Sequence, residues 1–130
     1  MVCLDTDILV GLLRNDKDSI KKISDLEESE IITTTPINAT ELFKGAYRSK
    51  YSAENVELIL NLLNNIEILT YDLKSSKLAG QIIEKLRKEG NPIGDIDCII
   101  AAVAKAHDEK IITRNIKHFS QISGLHLEKW

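Results

Sequence analysis

The chain opens with MVCLDTD, residues 1–7, and this stretch decides the predicted fold. Residues 2–4 are apolar and suit a strand that is buried on both faces of a parallel sheet. Two carboxylates, Asp5 and Asp7, follow immediately. In open α/β sheets, ligands bind just outside the carboxyl ends of the strands. The opening therefore predicts an interior strand that ends at a polar site.

Composition indicates an ordinary globular domain. The chain has 130 residues, of which 43% are hydrophobic and 28% charged, so we predict a single domain over residues 1–130. No apolar run is long enough to span a bilayer and no signal peptide opens the chain, so we expect a cytoplasmic protein with no membrane role. A net charge of −3 neither supports nor excludes a nucleic acid partner.

The cysteines and histidines show no zinc-binding pattern. Cys3 and Cys98 lie in apolar segments and are predicted to be buried free thiols. His107, His118 and His126 have no metal-ligand spacing, and we predict structural or exposed roles for them.

Strand-like and helical segments alternate along the chain. The segments predicted as strands are residues 2–4, 30–35, 66–71 and 110–114, with a short edge strand within 125–130. Amphipathic helical patterns fill the intervals between them. This alternation predicts a three-layer α/β/α domain with a mostly parallel, Rossmann-like sheet of four to five strands.

Glu41 lies in the segment ATELFKG. Thr35 and Pro36 are typical of a helix start, which places Glu41 inside the helix. Asn38 to Glu41 could alternatively form a capping box, with Glu41 in a purely structural role. Gly45 follows one helical turn later on the same face, and a glycine there favours the close approach of a backbone or a ligand.

The other acids need separate interpretation. Asp7 is placed to cap the helix after the first strand, which leaves Asp5 as an acid whose charge must be solvated or bound. In PIGDIDCIIAA, Asp95 and Asp97 would point to different sides of a helix. Asp95 is interpreted as the N-cap, and Asp97, in the first turn, is preferred as the functional acid.

We predict that Asp5, Glu41 and Asp97 meet at one point and hold a divalent metal ion. Hard cations such as Mg²⁺ are bound by carboxylate oxygens and retain water ligands. The three acids come from separate elements, as such a site requires. Because the chain has 20 acidic residues, spacing alone does not select this triple.

A helix predicted over residues 52–64 has apolar residues on more than one face. Such a helix is either buried on most sides or in contact with a partner.

These motifs, in this order, resemble those of the PIN-domain ribonucleases, in particular the VapC-type toxins of prokaryotic toxin–antitoxin pairs. LDTDILV resembles the family's first motif, with Asp5 as the metal-binding acid and Thr6 beside it. TELFKGA is similar to the family's E-L-x-x-G segment, and the glutamate of that segment corresponds to Glu41. GDIDCIIAAVA resembles the motif that assigns Asp97 and leaves Asp95 in a variable position.

The C-terminal segments extend the resemblance over nearly the whole chain. TRNIKHF is similar to the segment that carries the family's fourth polar or acidic site residue, which falls on Asn115. Many members have an aspartate at that position, and an amide carries no charge, which implies weaker metal binding or fewer metals. SGLHLEKW resembles the usual end of the family's sequences.

The resemblance implies a Rossmann-like sheet with the acids at its C-terminal edge, Mg²⁺ or Mn²⁺ as cofactor, and cleavage of single-stranded RNA. It also implies a homodimer and an antitoxin protein that blocks the site. The implied catalytic and metal-binding residues are Asp5, Glu41 and Asp97, with auxiliary residues Thr6, Asp95 and Asn115. Basic residues beside the motifs are candidate contacts to RNA phosphates: Lys44, Arg48, Arg114 and Lys117.

Three other functions remain open. The same fold could be a catalytically silent module that docks a protein or RNA partner, or a PIN nuclease of RNA processing. A phospho-receiver would need an acceptor near Asp72 and a lysine after the last main strand, and no lysine is suitably placed. Nucleotide-binding glycine motifs are absent.

Overall fold

Five short parallel strands form the centre of the computed structural model, which describes residues 1–130. They are β1 (Val2–Leu4), β2 (Ile32–Thr34), β3 (Glu67–Ile68), β4 (Lys110–Ile112) and β5 (Leu127–Glu128). Their order across the sheet is β3-β2-β1-β4-β5. The first strand is therefore central, and the chain order reverses between β1 and β4. Ligand sites of open α/β sheets lie at such a reversal.

Seven helices connect and flank the strands. They are α1 (Thr6–Leu13), α2 (Lys17–Glu27), α3 (Pro36–Arg48), α4 (Ser52–Leu63), α5 (Leu73–Lys88), α6 (Asp95–Ala106) and α7 (Ile116–Phe119). None of them combines the length and apolarity that a membrane span needs.

Two hydrophobic cores lie on opposite faces of the sheet. In β1, Val2 and Leu4 belong to one core, together with buried residues of α1 to α4. Cys3 points the other way, into a core built largely from α5 and α6. Side chains alternate between the faces of a strand, so a fully buried β1 requires helices on both sides. The predicted three-layer arrangement and the fifth strand are confirmed, and both cysteines are buried free thiols.

The predicted cap of α1 is wrong. Asp5 rather than Asp7 is the N-cap, and its carboxylate accepts a hydrogen bond from the Thr6 backbone N–H at 2.9 Å. Asp7 lies in the first turn and accepts hydrogen bonds from the Arg114 backbone N–H at 2.8 Å and from Trp130 Nε1 at 3.1 Å. Two acids spaced two apart both suit a helix start, and only these tertiary contacts give Asp7 a different task.

The predicted cap of α6 is also wrong. Gly94 is the N-cap, with φ of 95°, and Asp95 is the first helical residue. The side chain of Asp95 is exposed and makes no capping hydrogen bond. A glycine can adopt positive φ without strain, so the turn is made one residue earlier than the acid. By contrast, the predicted start of α3, with Thr35 as its cap and Pro36 as its first residue, is confirmed.

Helix α4 leaves part of its apolar surface uncovered. Ile59 is its one buried residue, whereas Leu58 and Leu60 are 51% and 50% exposed. The predicted spread of apolar residues over several faces is thus present, and Leu58 and Leu60, two residues apart, are exposed on different sides of the helix.

The close contact between α1 and α2 gives a test of the packing. A Cβ atom at Gly11 would lie 1.9 Å from Oγ of the buried Ser19. Because Ser19 also donates to the Asp16 carboxylate, it cannot move freely. We expect Gly11→Ala to lower the free energy of unfolding by about 1–3 kcal/mol, measured by urea denaturation.

Gly80→Ala is the matched control, because Gly80 also lies inside a helix and a Cβ atom there meets nothing within 4 Å. It should raise the free energy of unfolding by up to about 1 kcal/mol. Equal effects of the two substitutions would contradict the packing described for α1 and α2.

Candidate functional site

The site is built around Asp5, at the carboxyl end of the central strand. Its side chain is only 7% exposed. Oδ1 accepts hydrogen bonds from the Thr6 backbone N–H at 2.9 Å and from Asn38 Nδ2 at 3.1 Å. Oδ2 accepts one from Thr113 Oγ1 at 2.6 Å. No lysine or arginine forms an ion pair with Asp5, so neutral donors alone hold this carboxylate.

Burial dominates the electrostatics of Asp5. It raises the pKa of the carboxyl group from 3.8 to about 6. Hydrogen bonds from Thr113 and Thr6 favour the charged form and oppose this rise, whereas the negative charges of Asp7 and Asp97 add to it. A perturbed acid among other acids is typical of functional sites.

Glu41 reaches the same place from α3. Its Oε1 accepts a hydrogen bond from Thr6 Oγ1 at 2.6 Å. Because Thr6 directly follows Asp5, this bond brings the second predicted acid next to the first. Glu41 lies well inside α3, so it is not part of a capping box at the start of the helix.

Asp97 lies in the first turn of α6 and is half-buried. Its Oδ2 is 3.1 Å from His118 Nδ1 and 3.5 Å from Asn115 Nδ2. The Asn115 backbone N–H also donates to Thr113 Oγ1 at 2.9 Å, and that hydroxyl donates to Asp5. The loop after β4 therefore connects the Asp5 side of the site to the Asp97 side.

Sequence reasoning missed three residues of the site. His118, predicted to be structural or merely exposed, contacts Asp97, and its only sequence signal is the three-residue spacing from Asn115 on one helical turn. Thr113 and Asn38 are both fully buried. Thr113 directly follows β4, which is a weak signal for a site residue, and Asn38 gave only the capping-box pattern.

Asp95, predicted as an auxiliary residue, lies outside this network. It is exposed, and it makes no side-chain hydrogen bond or ion pair. The contacts with Asn115 and His118 are thus made by Asp97 and not by Asp95, and the functional role of Asp97 stays a prediction.

The donor set fits a hard divalent cation in its chemistry. It offers carboxylate oxygens from three elements without a lysine or arginine to neutralise them. As the side chains stand, no three His, Cys, Asp or Glu residues are close enough together to hold one metal ion. The predicted metal-binding triple therefore stays a prediction.

The basic residues beside the motifs differ in whether their side chains are held by contacts within the chain. Lys44, Arg48 and Lys117 are exposed and form no ion pair. The guanidinium of Arg114 instead lies 3.6 Å from the centre of the Trp130 ring, and its Nε donates to the Trp130 backbone oxygen at 3.3 Å. Arg114 thus helps to hold the C-terminus against the domain, and the RNA contact predicted for it competes with that role.

Comparison with known proteins identifies the family. A model described as the PIN domain matches residues 2–125. Over 98% of its length the chain is 29% identical to a tRNA(fMet)-specific endonuclease VapC of Shigella flexneri and 31% identical to the ribonuclease VapC2 of Rickettsia felis, covering 96% of each.

A solved structure agrees over the full length. The chain is similar, with a TM-score of 0.92 and 29% identity, to a chain in the crystal structure of VapBC2 from Rickettsia felis bound to a promoter DNA fragment. The similarity covers 100% of this chain and 99% of that one. The chain matches these relatives in fold and in length. It therefore belongs to the PIN-domain family, among its VapC ribonucleases.

Proposed function

We propose that this protein is a metal-dependent endoribonuclease that cleaves single-stranded RNA in the cytoplasm as the toxin of a toxin–antitoxin pair. One observation carries the proposal. The buried carboxylate of Asp5, which no lysine or arginine neutralises, lies beside Glu41 and near Asp97, where the chain order of the sheet reverses between β1 and β4. Retaining these acids without protein cations disfavours the folded state. A bound cation offsets that cost and gives the acids a function.

Asp5 and Asp97 would hold Mg²⁺ or Mn²⁺, with Glu41 as a direct ligand or through water. When bound, the ion lowers the pKa of a coordinated water and neutralises charge on the scissile phosphate. The hydrolysis adds one water across the phosphodiester. The P–O3′ bond breaks, leaving a 5′-phosphate and a 3′-hydroxyl.

The chain's own groups orient this reaction. Thr6, predicted as an auxiliary residue, donates its hydroxyl hydrogen to Glu41, so we assign it to positioning that acid. Asn115 and His118 lie together at Asp97, with Asn115 Nδ2 3.1 Å from His118 Nδ1. Both side chains can donate to a phosphate or a water there. Lys44, Arg48 and Lys117 would bind flanking phosphates.

The partners proposed are an antitoxin protein and a second copy of this chain. The relatives supporting this include the VapBC complex of Rickettsia felis. A groove of about 270 Å³ runs beside α1, α3 and α4, and Glu41 contributes to its wall. Its apolar lining is Val10, Leu13, Leu42, Ala46, Leu58 and Ile59. A partner segment seated in this groove would cover Leu58 of α4 and obstruct the site at Glu41.

A silent binding module is the second candidate, favoured by the uncharged Asn115 and the exposed apolar residues of α4. It shares the fold and the groove but predicts no metal-dependent cleavage. A PIN nuclease of RNA processing would share the whole site, and the names of the relatives favour the toxin.

The decisive activity test is cleavage of labelled single-stranded RNA with EDTA, Mg²⁺ or Mn²⁺. We expect cutting with either metal and none in EDTA. Asp5→Asn and Asp97→Asn should each abolish it, because each removes one of the charges that would hold the ion. Asp95→Asn is the matched control, since Asp95 lies outside the network, and it should cut like the wild type.

Cutting by a folded Asp5→Asn protein would contradict the site. Loss of cutting in Asp95→Asn would show that the wrong aspartate was assigned. The absence of cutting by the folded wild type, freed of antitoxin, would favour the silent module.

The buried charge on Asp5 should measurably lower the free energy of unfolding. The pKa of the Asp5 carboxyl group is about 6 in the folded protein and 3.8 in the unfolded chain. This difference stabilises the fold fully at pH below 3.8, and the stabilisation is lost as the pH rises through about 6. In EDTA at pH 8, Asp5→Asn should therefore be more stable than the wild type by about 1–3 kcal/mol. The advantage should disappear as the pH falls from 8 to 4.

Urea denaturation of both proteins across this pH range checks the expectation, and the difference between them isolates Asp5 from other acids. A wild type more stable than Asp5→Asn at pH 8 in EDTA, or a difference that does not change with pH, would contradict the account of a buried uncompensated charge.

The phosphate contacts should appear in the salt dependence of RNA binding. In an inactive Asp97→Asn background, Lys44→Ala and Lys117→Ala should each weaken binding and reduce the slope of log K against log salt by about 0.7. Lys88→Ala, at the far end of α5, is the control and should leave the slope unchanged. Equal slopes in all three would remove these lysines from the interface.

A further inference from the structure

Asn38 has an environment that its position in the sequence does not explain. It lies in the first turn of α3, a place usually open to solvent, yet its side chain is fully buried. A buried amide is costly unless its donors and its acceptor are all paired. In this structure they are, and every partner belongs to the site or to the cap of α3.

The two ends of the Asn38 amide meet different partners, the Thr35 hydroxyl and the Asp5 carboxylate. The Thr35 hydroxyl oxygen accepts the Asn38 backbone N–H at 3.1 Å and donates its own hydrogen to Asn38 Oδ1 at 2.7 Å. The reverse orientation would place the amide oxygen against the carboxylate of Asp5, with two acceptors facing each other. The Asp5 carboxylate therefore selects the orientation with Nδ2 towards the site, and the Thr35 hydroxyl, which can donate or accept, donates to Oδ1.

The two hydrogens on Nδ2 then have separate destinations. One is donated to Asp5 Oδ1 at 3.1 Å and the other to Thr6 Oγ1 at 2.9 Å. Because Thr6 Oγ1 accepts this bond, its own hydrogen is directed to Glu41 Oε1 at 2.6 Å. The donors thus run in one direction, from Thr35 through Asn38 and Thr6 to Glu41, with a branch to Asp5.

We propose that Asn38 is a positioning residue of the nuclease site, which fixes Asp5 and Glu41 relative to each other so that both can serve one cation. This inference rests on the proposed function. Asn38 is fully buried and cannot touch RNA, so its effect must pass through the two acids. Hydrogen-bond partners that orient metal ligands typically change metal affinity by about 10–100-fold when they are removed.

The test compares Asn38→Leu, whose side chain has the same number of heavy atoms but no polar group, with Asn38→Thr, whose hydroxyl supplies a single donor. Binding of Mn²⁺ without RNA is measured by electron paramagnetic resonance of the free ion. We expect about 10–100-fold weaker binding in Asn38→Leu and an intermediate loss in Asn38→Thr. In cleavage assays kcat should fall while KM for RNA stays unchanged.

Ser19→Ala is the control for a purely structural effect. Ser19 is likewise fully buried and hydrogen-bonded at a helix start, but its partner Asp16 is not a site residue. This variant should lose stability and keep the Mn²⁺ affinity of the wild type. If Asn38→Leu does not fold, Asn38→Thr decides by the same comparison.

The two proposals fail in different ways. Wild-type affinity and kcat in a folded Asn38 variant, or an equal loss of affinity in Ser19→Ala, would overturn the role of Asn38 and leave the nuclease intact. A wild type that binds no Mn²⁺ and cuts no RNA would overturn both.

Discussion

The constraint on which this structure depends is a carboxylate buried at the end of its central strand. Asp5 is held by a backbone N–H, an amide and a hydroxyl, and no lysine or arginine neutralises it. The sheet order makes this possible, because β2 and β4 flank β1 in parallel and end at the same edge. Thr113 therefore arrives from one neighbour, and α3, which follows the other, supplies Asn38 and Glu41.

Charged and neutral groups have different roles in the hydrogen-bond network around Asp5. Acids from three separate elements provide negative charge, and neutral donors fix where each acid points. Asp7, although only two residues from Asp5, serves the fold by binding the loop after β4 and the C-terminal Trp130. Its charge also helps to raise the pKa of Asp5, so a structural contact contributes to the electrostatics of the site.

Local patterns predicted the fold well, and tertiary contacts explain the errors. The apolar run before Asp5 and the Thr35–Pro36 start of α3 are strong local signals, and both were interpreted correctly. The caps at Asp7 and Asp95 were wrong because several neighbouring residues suited the same role. Asn38, Thr113 and His118 join the site only through contacts between elements distant in sequence, such as the 2.6 Å bond between Thr113 and Asp5. The spacing of apolar and polar residues along the chain does not predict contacts of that kind.

We propose that Asp5 is a ligand for a divalent cation, and calorimetric titration of the RNA-free protein with Mn²⁺ measures this binding itself. We expect saturable binding to the wild type at neutral pH and strongly weakened binding in Asp5→Asn. Binding should also weaken as the pH falls below about 6, where protons compete for the carboxylate. Equal Mn²⁺ binding by the wild type and a folded Asp5→Asn protein would contradict it.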